Sequence, residues 1–106
     1  MAKFLVQVTY TAEGAKGLLK DGGSKRRTVV DELLKSGGGR MEAFYFAFGD
    51  VDVYAIIDLP DAASAAAIAM TIGATGAAKV TTVPLLSPEE IDTAAKKRGA
   101  YTPPGA

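Results

Sequence analysis

Along the first ten residues, Phe4, Val6, Val8 and Tyr10 alternate with Lys3, Leu5, Gln7 and Thr9. A period of two is the mark of a strand with one apolar and one mixed face. Thr11-Ala12-Glu13-Gly14 opens a turn or a single helical turn, and Asp21-Gly22-Gly23 closes it, since paired glycines mark a loop. Ser24 has the chemistry of a helix N-cap. Behind it Val29, Val30, Leu33 and Leu34 form a stripe at helical spacing, stopped by Gly37-Gly38-Gly39. These features predict a helix over residues 24 to 36.

Residues 41 to 48 and 51 to 59 read as two further strands, joined through Gly49-Asp50 in an antiparallel hairpin. Val53, Tyr54, Ile56 and Ile57 leave the second of these no polar side in its middle. That places it at the centre of a sheet or under a cover. Pro60-Asp61 breaks it and caps an Ala-rich helix from Ala62 to Ile72. Lys79 to Leu86 is a fourth strand, and Pro84 within it predicts an edge position, because proline donates nothing to a ladder. Ser87-Pro88-Glu89-Glu90 is a capping box, opening a short helix from 88 to about 97. Residues 1 to 98 then form one domain and 99 to 106, with Pro103-Pro104, a tail.

The order β-α-β-β-α-β predicts an α+β, ferredoxin-like fold. It has a four-stranded antiparallel sheet, two helices on one face and an extra C-terminal helix. The other face carries aromatic and aliphatic side chains: Phe44, Phe46 and Phe48 in one register, or Tyr45, Val51, Val53 and Ile57 in the other. A patch of that size is unusual on a monomer, so self-association through the open sheet face is expected.

Composition removes several classes of function. The 106 residues hold no Cys, His or Trp. Disulfide frames, thiolate nucleophiles, Cys/His zinc sites and Ser-His-Asp triads are therefore excluded. No metal and no organic cofactor is expected. Twelve basic and twelve acidic residues give zero formal net charge, against the basic excess of a nucleic-acid binder. Gln7 and Thr9 interrupt any signal-like apolar core. Residues 62 to 78 carry no charge but are mostly Ala, Gly and Thr, too weakly apolar to span a membrane. The expected location is cytoplasmic.

The segment Phe48-Gly49-Asp50-Val51-Asp52-Val53, preceded by Glu42-Ala43-Phe44-Tyr45, resembles the signature hairpin of the GYD domain family. The similarity takes in Lys25-Arg26-Arg27 and Gly37-Gly38 upstream. Downstream it takes in Leu59-Pro60-Asp61, Gly76, Thr81-Thr82 and Ser87-Pro88-Glu89-Glu90, so that it covers roughly residues 3 to 92. The family's pattern there is Gly-x-Tyr-Asp, and this chain has Val51 where the family has Tyr. The resemblance implies a relation to the dimeric α/β barrels, whose sheets pack face to face. The hairpin also resembles one near an inter-subunit small-molecule site in amino-acid-responsive bacterial regulators.

Five residues are candidates for a ligand site: Arg26, Tyr45, Gly49, Asp52 and Tyr54. Asp50 and Asp52 suit a cation or a ligand amine. Asp50 otherwise serves the turn, and Asp52, just inside a strand that reads as buried, has a structural or a ligand-anchoring role. Lys25-Arg26-Arg27 follows Gly22-Gly23 at a helix start and suits an anion or carboxylate. Its plainer use is a solvated first turn, with Arg27 paired to Asp31. Tyr45 and Tyr54 flank the hairpin and can orient a substrate, or fill a core edge. The expected function is a small homo-oligomeric ligand-binding or regulatory module. The alternatives are a cofactor-free enzyme of the monooxygenase or isomerase kind, and an assembly subunit without a ligand.

Overall fold

The computed structural model describes residues 1–106 throughout. Its strands are β1 (Ala2–Tyr10), β2 (Arg40–Phe46), β3 (Val53–Leu59) and β4 (Ala78–Leu85). Its helices are α1 (Ala12–Asp21), α2 (Gly23–Ser36), α3 (Ala62–Gly73) and α4 (Pro88–Lys96). The strands form one antiparallel sheet in the order β2-β3-β1-β4. This is the expected ferredoxin-like arrangement, with β3 internal and the Pro84 strand at an edge.

Local chemistry sets the boundaries. Asp61 accepts from the Ser64 N–H and hydroxyl, both at 2.8 Å, and caps α3. Those hydrogen bonds hold the Asp61 carboxyl below its usual range. Ser87 and Glu90 form the expected reciprocal capping box. After α2, Gly38 adopts φ +78 and the Gly38 and Gly39 N–H groups return to Lys35 and Leu34 carbonyls, a Schellman close.

Three expectations are corrected. The single turn expected at residue 11 is a helix of 10 residues, capped by the Thr11 hydroxyl. Ser24 is not the cap of α2. The helix starts at Gly23 behind Gly22, which has φ +81 and no side-chain cap. The hairpin is wider than expected, because β2 stops at Phe46 and β3 starts at Val53.

A register shift between Met41 and Ala43 leaves Glu42 as the extra residue of a bulge. Beyond it, Phe44 and Phe46 face the helices while Tyr45 pairs with Tyr54 on the opposite face. The open face therefore matches neither expected register. Tyr45, Tyr54 and Ile56 stand there with Leu5 and Val83, whereas Val53 and Ile57 are buried on the helix side. Phe48 and Val51 belong to the loop.

The core is built of Phe4, Val6, Leu34, Ala55, Ile57, Leu59, Ala65 and Ile68 between sheet and helices. α2 rests over β2 and α3 over β4, and the two helices barely touch one another. α4 packs against little and all of its residues are exposed. The radius of gyration is 16.9 Å. A compact chain of this length would give about 13 Å.

A cleft between two helices and its polar mouth

The helices cover the two edge strands, so the central strands β1 and β3 form the floor of a trough between them. Side chains fill it only partly. Ala55 and Ala78 line the strands, and Ala-rich α3 contributes two large side chains, Ile68 and Ile72. What remains is a cleft of about 320 Å³ whose lining is overwhelmingly apolar. This lies at the lower end of the range for small-molecule sites. Ile68 reaches the end of α2 at Gly37, 3.9 Å from where a side chain there would begin, and narrows one end.

Four polar side chains line the cleft: Tyr10, Arg26, Thr71 and Thr75. The threonine hydroxyls are already committed. Thr71 donates to the Ala67 carbonyl and Thr75 to the Ile72 carbonyl, each at 2.7 Å. Tyr10 and Arg26 remain, at the end of the sheet where β1 stops and β4 begins. The guanidinium stands beside the phenol. Burial pushes the Tyr10 hydroxyl above its ordinary range; the Arg26 charge opposes that shift and the Asp52 carboxylate adds to it. At neutral pH the phenol keeps its proton. Arg26 is about one-third exposed, and its Nη1 lies 3.9 Å from Asp21 Oδ2, a long ion pair.

Of the five candidate residues, two meet here and three do not. Asp52 lies outside the cleft lining, yet its Oδ2 accepts from the Tyr10 N–H at 2.8 Å. Its own N–H donates to the Val8 carbonyl, and its carbonyl accepts from Ala47. Asp52 thus latches the loop onto β1 beside Tyr10, rather than lying within β3 as the sequence suggests. Gly49 is exposed at the loop tip with open space around it. Tyr45 and Tyr54 are cross-strand neighbours on the far side of the sheet. Nor do Arg27 and Asp31 pair: Asp31 bonds Lys35 at 2.8 Å, and Lys25 and Arg26 both turn to Asp21.

Two further residues carry no distinguishing signal in the sequence. Tyr10 reads as one more apolar position of β1. Asp58, at the end of an apolar run, is 6% exposed on the open face. It lies opposite Lys3 and Arg40, with Lys3 Nζ 3.2 Å from Oδ1 and Arg40 Nε 3.2 Å from Oδ2. Lys3 also bonds Glu42 at 2.6 Å, which chiefly raises its pKa. A carboxylate this buried requires such partners. The cross-strand register is the signal that would have found it, since Lys3 pairs with Asp58 once β1 and β3 are aligned. No cluster of acidic, His or Cys side chains is arranged to hold a metal ion. No helix is long and apolar enough to cross a membrane.

The curated proteins and the solved structures compared with the chain gave no match. A family model does match, over residues 4–95, and its description is GYD domain. The matched span runs from β1 through most of α4 and includes both walls and the floor of the cleft. The chain therefore belongs to the GYD domain family.

Proposed function

We propose that this protein is a cytoplasmic, homo-oligomeric small-molecule binding module whose ligand occupies the cleft between α2, α3 and the sheet. The observation that carries this reading is an apolar cavity of about 320 Å³ whose free polar lining reduces to Tyr10 and Arg26, the latter held by one long ion pair to Asp21. An apolar cleft with a few placed donors is what recognition of a small organic molecule requires. The enzymatic alternative would make the Tyr10 phenol its proton-transfer group, since the cleft lining has no carboxylate. The absence of cysteine agrees with a cytoplasmic location.

Cleft occupancy is tested by uptake of the neutral, environment-sensitive fluorophore 1-naphthylamine. Wild-type protein should bind it with enhanced fluorescence. Ala55, 3% exposed on the cleft floor, is the position to block. Ala55→Leu places added methyl groups in the cleft. It should lower dye affinity several-fold without lowering the melting temperature, since filling a cavity commonly stabilises by about 0.5–2 kcal/mol. Undiminished dye binding in a folded Ala55→Leu protein would reject the cleft as the site.

Self-association rests on the open face. Four strands of seven to nine residues present a footprint of roughly 500 Å² from strand spacing and rise. A standard interface takes about 800 Å² of accessible surface from each partner. α4, packed on little of its own chain, adds exposed surface for a second copy. Sedimentation velocity should show a dimer or larger species for the wild type. Ile56→Lys, at the centre of the face, should shift it to monomer. A wild-type monomer at micromolar concentration would end this part of the reading.

A further inference from the structure

We infer that the ligand is a monocarboxylate with a compact apolar body, bound with its carboxylate on the Arg26 guanidinium at the cleft mouth. This deepens the cleft reading and rests on it. Arg26 is the sole charged residue among those lining the cleft. Its ion pair to Asp21 is long, at 3.9 Å, and Asp21 lies outside the lining. Most of the guanidinium's donors are therefore free for a bidentate acceptor, the geometry in which arginine prefers carboxylates. Arg26 sits in the first turn of α2, so the positive end of that helix adds to its charge. The neighbouring Tyr10 phenol is protonated at neutral pH and gives a second donor at the same end. A cationic ligand would meet the guanidinium's like charge there, and a wholly apolar one would leave its inward donors unused.

The cavity sets the size. An apolar cavity of about 150 Å³ accommodates benzene. By proportion, 320 Å³ takes a ligand of about a dozen non-hydrogen atoms. That corresponds to a medium-chain aliphatic acid or a short arylalkanoic acid. The threonines in the wall spend their protons on their own helix, so the body of the ligand needs no polar group.

The test compares octanoate with octan-1-ol by calorimetry at low ionic strength, using the full chain. Octanoate should bind about ten- to hundredfold more tightly, the range of a charge-assisted hydrogen bond. In Arg26→Gln the preference should collapse while octan-1-ol binding persists. Arg26→Lys should keep part of the preference, which separates loss of charge from loss of fold. Equal binding of the two probes to the wild type would overturn the carboxylate assignment and leave the cleft standing. A preference that survives in Arg26→Gln would overturn the role of Arg26. Binding of neither probe, with no uptake of 1-naphthylamine, would overturn the cleft reading and this inference with it.

Discussion

Leu34→Ala is expected to lower the unfolding free energy by about 3–5 kcal/mol, the upper part of the range for buried leucines. Leu34 has 0% exposure and sits where α2 closes over the sheet. Its removal costs the transfer of its own atoms and a further amount for the void that stays open. Relaxation is limited, because the adjoining backbone is fixed by the Gly39 N–H on the Leu34 carbonyl at 2.9 Å. A domain of this size has only about 5–15 kcal/mol of stability, so urea unfolding should show a much earlier midpoint at a similar slope. Leu34 also lines the cleft, so the same substitution lengthens the cavity inward. Ligands one or two carbons longer should then gain relative to octanoate. A loss below about 1 kcal/mol would mean that α2 does not close on the sheet as described.

Gly14→Ala is expected to destabilise, although alanine in a helix normally gains about 1 kcal/mol over glycine. A Cβ at Gly14 would overlap the Ala77 carbonyl oxygen and come within 2.9 Å of Tyr10 Cδ1. The Ala77 carbonyl cannot move freely, since it accepts the Thr11 N–H at 2.9 Å. Relief therefore means pushing α1 off the sheet or turning the Tyr10 ring at the cleft mouth. The cost should reach about 2 kcal/mol or more, as overpacking at a backbone contact does. Gly17 is the control on the same helix, with nothing within 4 Å of its would-be Cβ. Gly17→Ala should stabilise by a few tenths to about 1 kcal/mol. Paired thermal melts of the two variants check both the magnitude and the opposite signs. Two changes of the same sign would contradict the placement of α1.

The order of strands and helices was legible because periodicity and glycine or proline punctuation agree along most of this chain. Pro84 predicted its edge, and Ser87 to Glu90 predicted its cap, each by a local chemical rule. What failed depended on distant partners. Gly14 and Gly17 argue against a helix at α1, and the helix forms because Gly14 lets it approach Ala77 closely. Asp52 has the neighbours of a strand residue, but its hydrogen bonds go to β1 and hold a loop. The Glu42 bulge reverses which aromatics face the helices, and a single unpaired residue leaves no mark on an alternating pattern.

The candidate site was legible only in part for the same reason. Arg26 was identifiable as a cation where an anion could bind. The cleft it serves arises from which strands each helix covers, a property of packing that no segment carries alone. Tyr10 reads as a core position of β1 until its neighbour Arg26 is placed. Tyr45 and Tyr54 read as partners of Arg26 because the sequence does not reveal that the sheet separates them.

Entry of ligand between the helices and the sheet is decided by methyl chemical-shift mapping of isoleucine, leucine and valine side chains during an octanoate titration. Shifts are expected at Val30, Leu33, Ile68 and Ile72, which line the cleft, with Leu5 and Ile56 on the open face unchanged. Shifts confined to Leu5, Ile56 and Val83, with the cleft methyls silent, would contradict it and move the site to the open sheet face.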